Sequence, residues 1–255
     1  MKIAIQLYTI REFYGSIEEF SKAVKKLSDI GYRYVETAGL ANLDPQQFKK
    51  IMDDNGLKIC SSHTGLDRIL KEPEAIASEQ TKLNALCCNI SWPGSQSHDI
   101  DAIKKIAEKI ERAASTLKAH GITLGYHNHG IEFAKCDGKT WLEIIMEGSS
   151  ESTLTAQIDT YWVQYGGGDP AQWITNYAKR LNSIHFKDMG MSPDNKQAMV
   201  PVGTGNLNWQ KILPAAKKSS AKYAIMEMDF SPLYPLWDAI KISFENMKNW
   251  GLESE

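Results

Sequence analysis

Short apolar runs alternate with longer amphipathic stretches along the whole chain. Residues 2–7 (KIAIQL) have the composition of a strand. Residues 16–31 (SIEEFSKAVKKLSDIG) place apolar side chains at helical spacing, opened by Ser16 and closed by Gly31. Ser16 with Glu19 fits a capping box. The cycle then repeats. Residues 32–37 lead to a helix over 44–56, where Asp44 caps and Pro45 takes the first helical position. Residues 58–63 lead to 73–86, 87–92 to a long helix from Asp99 to His120, and 122–129 to 140–148. Residues 153–162 precede a second Asp-Pro start over 169–180, 182–188 precede 208–219, and 223–229 precede 235–251.

These are eight strand–helix units of about 32 residues each, the spacing of an α/β chain folded as a single (β/α)8 TIM barrel over 1–255. A doubly wound sheet needs fewer units and often a glycine-rich phosphate turn after its first strand. Here QLYTIREF follows the first strand. No linker or low-complexity stretch divides the chain, so one domain is expected.

Composition narrows the partners. A net charge of −2 with no basic stripe argues against nucleic acid and anionic membranes. An apolar content of 42% supports a substantial core. The four cysteines (Cys60, Cys87, Cys88, Cys136) have neither disulfide-framework nor zinc-finger spacing and read as small buried side chains. No run approaches the roughly 18 apolar residues of a membrane span. The first twelve residues read as a strand rather than a signal peptide. The expected location is the cytoplasm, or the periplasm if a leader preceded this sequence. Nothing in the sequence opposes a homo-oligomer.

Polar residues gather where each strand should end. They are Gln6, Glu36, His63, Asn89, His127 with His129, Asp159, His185 with Lys187, and Glu227 with Asp229. Strand alternation lets one choice of inward face put them all in the barrel mouth, where active sites of this architecture are built. Burying so many polar groups costs several kcal/mol each unless they are paired or bind a metal. Mixed carboxylate and imidazole ligands suit one divalent ion: Mn²⁺, Zn²⁺, Mg²⁺ or Co²⁺.

The segments 126-YHNHGIEF-133, 157-QIDTYWVQYGG-167, 184-IHFKDM-189, 201-PVGTGNLNW-209 and 225-IMEMD-229 resemble the xylose-isomerase-like TIM-barrel proteins. These include sugar phosphate isomerases/epimerases and share their fold with inosose dehydratase and endonuclease IV. The resemblance runs from Gln6 to about Asp229. It implies one metal at the barrel mouth held by two glutamates, an aspartate and a histidine. Asp159, His185 and Glu227 carry over. Many members place the first glutamate in an E-N-H element, where this chain has His127-Asn128-His129. Glu132 is the expected replacement, with His127 as the alternative ligand.

The resemblance also implies carbohydrate chemistry. Metal-assisted removal of a proton beside a carbonyl gives an enediolate, which can epimerise, isomerise or eliminate. Glu132, His129, Lys187 and Glu227 are the catalytic candidates. Gln6, Glu36, His63, Trp92, His127, Tyr161 and Trp162 are expected to line the substrate, with Tyr8 and Arg11 behind them. The leading expectation is a metal-dependent isomerase or epimerase acting on a sugar or keto-sugar. The alternative is a lyase or dehydratase on a 3-keto-glycoside or inosose-like substrate, which the missing strand-five glutamate favours. A sugar-binding barrel without catalysis and an endonuclease IV-like phosphodiesterase are weaker readings. The latter needs three metals and a basic groove, against six histidines and a net charge of −2.

Overall fold

The computed structural model describes residues 1–92 and 99–255. Eight parallel strands close a barrel: Lys2–Gln6, Tyr34–Ala38, Lys58–Thr64, Cys87–Ile90, Thr123–His127, Leu154–Asp159, Leu181–Phe186 and Tyr223–Met226. They are numbered one to eight below. Each pairs with its neighbours in sequence, and strand eight returns to strand one through Lys2–Tyr223 to Ile5–Met226. Among the described residues no helix is long and apolar enough to cross a membrane.

The helices form where the apolar periodicity puts them. Ile17–Ile30 buries Phe20, Ala23, Val24 and Leu27 on one stripe, capped by Ser16, whose side chain accepts from the Glu19 amide. Asp44 and Asp169 cap the two Asp-Pro starts. One boundary differs from expectation. Thr160, Tyr161 and Trp162 leave strand six for a helix, Thr160–Tyr165, because the Asp159 side chain accepts from the Trp162 amide and starts a helical turn.

The barrel interior is layered. Ala4, Tyr34 and Ile225 form an apolar plug toward the N-terminal ends. Above it lies a polar layer of Gln6, Glu36, Ser61, Asn89, Gln157 and Ser183, every one buried. Gly125 completes this layer by what it lacks. A Cβ there would lie 2.0 Å from Asn89 Oδ1, which instead accepts from Asn182 Nδ2 at 2.7 Å.

The D-M and G-x-G-x-x-x-W elements also become clear. Asp188 is buried, and its carboxylate accepts from the backbone of Met189, Gly203, Gly205 and Leu207 and from Trp209 Nε1, at 2.7–3.3 Å. A Cβ at Gly205 would lie 2.5 Å from Asp188 Oδ1, so the loop can approach only as glycine. Residues 188–191 and 197–200 pair as a hairpin beside this anchor. These motif residues therefore tie the loop after strand seven to the barrel. Asp188→Asn turns an acceptor into a donor among buried donors, and should cost on the order of 2–3 kcal/mol. A thermal melt followed by circular dichroism checks this, and an unchanged midpoint would contradict the anchoring role.

Candidate active site

Glu36 lies fully buried at the centre of the polar layer. Its Oε1 accepts from Ser61 Oγ at 2.6 Å, Gln157 Nε2 at 2.8 Å and Asn89 Nδ2 at 2.9 Å. Its Oε2 accepts from Gln6 Nε2 at 2.8 Å and pairs with His185 Nε2 at 2.6 Å and His63 Nε2 at 3.1 Å. Burial pushes the carboxyl up, but His63 and His185 outweigh it and hold the group well below the usual range. Gln6 and Glu36, expected to touch substrate, thus sit beneath the cleft with their polar atoms spent on each other and on their neighbours.

His185 stands on this carboxylate. Its Nδ1 lies 2.9 Å from Glu227 Oε2 and 3.9 Å from Asp159 Oδ2. Burial lowers its pKa, yet Glu36 and Glu227 raise it further, to about 10, so the ring is an imidazolium between two carboxylates. Lys187 is 1% exposed and closes the cluster. Its ammonium lies 2.9 Å from Glu227 Oε2, 2.9 Å from both oxygens of Asp229 and 3.5 Å from Asp159 Oδ2.

One atom each of the Asp159 and His127 side chains is left over. Asp159 Oδ2 and His127 Nδ1 are buried without a hydrogen-bond partner among the described residues. Burial first, then His185 and His63, hold His127 well below the usual imidazole range, so it is neutral with a lone pair to give. Burial raises Asp159 to about 6 against the pull of Lys187 and His185.

One ligand atom each from His127, Asp159, His185 and Glu227 lie within 4.8 Å of one another. A divalent ion fits this set, because it would satisfy the orphaned Asp159 oxygen, draw on the neutral His127 ring and take the place of the proton on His185 Nδ1. Glu36 would keep the Nε2 proton and fix the tautomer. His63, His127 and His185 also cluster, with ring centroids 4.5–5.2 Å apart. His63 Nε2, however, is already committed to Gln157 Oε1 at 2.6 Å and to Glu36.

Glu132 takes another path. After strand five the chain turns through Ile131–Phe133, and the Glu132 side chain points back into the protein. Its Oε2 accepts from the His129 amide at 2.8 Å and its Oε1 from Tyr126 Oη at 3.2 Å. His129 Nδ1 lies 4.0 Å away from it. The expected fourth ligand therefore lies outside the cluster, as a brace for the His127–His129 turn. Asn128, which the sequence reading passed over, braces the other side by accepting from the Asp159 amide at 3.0 Å.

The profile of the xylose isomerase-like TIM barrel family matches residues 24–250. The chain belongs to this family. Its similarity to named relatives is distant. It is 20% identical to the inosose dehydratase of Geobacillus kaustophilus over 66% of this chain and 61% of that protein. It is 22% identical to that of Lacticaseibacillus casei over 69% of this chain and 65% of that one. The match thus spans about three fifths to two thirds of the length of these relatives. A sugar phosphate isomerase/epimerase from Parabacteroides distasonis shares the fold with a TM-score of 0.81, at 22% identity over 97% of both chains. Where the resemblance implies a glutamate ligand, this barrel presents His127 at strand five, with the glutamate five residues later turned inward.

A cleft of about 620 Å³ opens above the cluster. His63, Trp92, His127, His129, Glu227 and Asp229 line it, with Tyr8 at its edge. Tyr161 and Trp162 face a neighbouring depression with Tyr165 and Phe230 instead. Trp162 still touches the site, with its ring 5.5 Å from His129 and 5.4 Å from Lys187 Nζ. Arg11 reaches over Tyr8 to the Asp229 carbonyl.

Two outcomes test this geometry. Asp159→Asn or His127→Ala should weaken Mn²⁺ binding at least ~10-fold by calorimetric titration, as loss of a ligand does, while Glu132→Gln stays within about twofold. Burial also raises Glu132 from 4.5 to about 7. The unfolded chain releases that proton first, so this group's contribution is full below about pH 4.5 and lost as pH rises through about 7, on the order of 3 kcal/mol. Glu132→Gln should therefore flatten the fall of melting temperature across that window, and an unchanged pH slope would contradict the buried placement.

Proposed function

We propose that this barrel is a divalent-metal-dependent carbon–oxygen lyase that takes the proton beside the carbonyl of a keto-sugar or cyclic keto-polyol and expels a β-oxygen. The observation that carries this reading is the neutral imidazole of His127 at strand five, where a second carboxylate would give an epimerase its matched acid–base pair. The inosose dehydratase relatives are consistent with it.

When bound, a divalent ion supplies Lewis-acid chemistry, drawing electrons from the carbonyl oxygen and acidifying the neighbouring C–H. The rest falls to the chain. Glu227 lines the cleft with its Oε2 committed to His185 and Lys187, which leaves Oε1 toward the substrate. Burial raises its pKa, but Lys187 and His185 hold it well below the usual range, so it is an ionised base. Glu227 Oε1 takes the C–H proton. Lys187, fixed by Asp229, supplies the positive charge that balances the carboxylates around it. Burial and Lys187 lower His129 to about 3, so its neutral ring hydrogen-bonds substrate hydroxyls without adding charge. Asp229 lines the cleft and accepts from Lys187 with both oxygens, which fixes that cation, and the proton that Glu227 takes passes on to the departing oxygen.

Isomerisation or epimerisation is the second reading, favoured by one observation: Glu227 and His129 both line the cleft and could act as base and acid. Incubation with candidate keto-sugars in D₂O with Mn²⁺ separates the two. Elimination predicts deuterium beside the carbonyl together with release of water or alcohol. Epimerisation predicts deuterium with retention of every oxygen. Glu227→Gln should slow exchange by about 100-fold or more. Absence of exchange with every keto-sugar, in protein of confirmed metal content, would falsify the reading.

A further inference from the structure

The cleft over the cluster measures about 620 Å³. The metal cluster occupies its floor, and one pyranose over that floor leaves much of the 620 Å³ unused. Two large aromatic side chains line the same cleft and lie partly open to solvent, Trp92 at 49% and Tyr8 at 42%. Leaving such rings in water forgoes apolar burial that a ligand can restore. Trp92 is also joined to the floor. Its ring meets His129 edge-on at 4.9 Å, so a ligand seated over His129 continues onto Trp92. Tyr8 is stiffened from one side by the Arg11 guanidinium, 4.1 Å from the ring centroid.

The cations that line or floor the cleft are held by carboxylates. Arg68 lines it, but its guanidinium is paired with Glu79, itself a lining residue, at 2.8 Å. Lys187 is enclosed by Glu227, Asp229 and Asp159. Arg11 is not among the lining residues, and its guanidinium is held by the carbonyls of Tyr8 and Asp229. Among the described residues no lining cation is left unpaired for a phosphate, which binds through charge-assisted hydrogen bonds to such groups. Residues 93–98 (PGSQSH) contain no lysine or arginine. Glu227 and Asp229 line the same space and would repel a dianion.

We infer that Trp92 and Tyr8 form an outer subsite for an uncharged second ring, so that the substrate is an unphosphorylated glycoside whose reacting ring lies over the metal cluster. This rests on the proposed carbohydrate reading but is tested without turnover. Isothermal titration with methyl β-glucoside, methyl β-cellobioside and methyl β-glucoside 6-phosphate reads binding alone, because each is locked as a glycoside and has no carbonyl for proton removal. A protein that fails the D₂O test can still pass this one.

The expected result is that the cellobioside binds at least about tenfold tighter than the glucoside, as a stacked second ring provides. Trp92→Ala should cut that preference to under about threefold, with Tyr8→Ala giving a smaller loss in the same direction. Methyl β-glucoside 6-phosphate should bind no tighter than methyl β-glucoside. Equal affinity for one and two rings, a two-ring preference that survives in W92A, tighter binding of the phosphate, or no saturable binding of either glycoside would each overturn the inference. Both side chains are partly exposed, so their truncation leaves the core intact, and circular dichroism confirms the fold of each variant.

Discussion

The site depends on one contact, the 2.6 Å pairing of Glu36 with His185 on the barrel axis. A fully buried carboxylate persists only if its oxygens are satisfied. Gln6, Ser61, Asn89, Gln157 and His63 converge on it from four strands to do that. The result is a rigid acceptor beneath His185. It fixes which imidazole nitrogen carries the lower proton and leaves Nδ1 facing Asp159 and Glu227. Removing the Glu36 charge would free the ring to rotate and leave several buried donors unpaired.

Above that contact the electrostatics are held in tension. Asp159, Glu227 and Asp229 crowd together, and Lys187 with protonated His185 balances them in the absence of a cation. A divalent ion would replace one proton, relieve the orphaned oxygen of Asp159 and draw on the neutral ring of His127. The change from glutamate to histidine at strand five lowers the negative charge of the ligand set by one. Glu132 keeps a carboxylate in the neighbourhood, but as a brace for the turn. Position and charge are thus separated: the loop retains its acid while the ligand set becomes more neutral.

Much of this was legible in the sequence. The eight alternating units gave the barrel, because each amphipathic helix and each apolar strand obeys its own period. Strand parity brought Asp159, His185 and Glu227 to one face. Parity failed where the backbone departs from regularity. A register shift at Val35–Glu36 against strand three brings Ser61 to the Glu36 layer, and simple alternation does not anticipate it. The direction of Glu132 depends on a single turn after strand five, and no period governs that. Gln6 and Glu36 share the inward face, but parity does not say how deep a side chain sits, so they were expected in the cleft rather than under it. The loop partners of Asp188 are glycines and a tryptophan. The requirement they meet is close backbone approach to one carboxylate.

The central claim is that His127, not Glu132, completes a metal site built on the Glu36–His185 pair. Anomalous diffraction from crystals soaked in Mn²⁺ tests it most directly. The account predicts one peak within ligand distance of His127, Asp159, His185 and Glu227, with Lys187 drawn back onto Asp229 and Glu132 still bonded to Tyr126. A peak bound by Glu132, or Mn²⁺ absent from the cluster at saturating concentration, would contradict it.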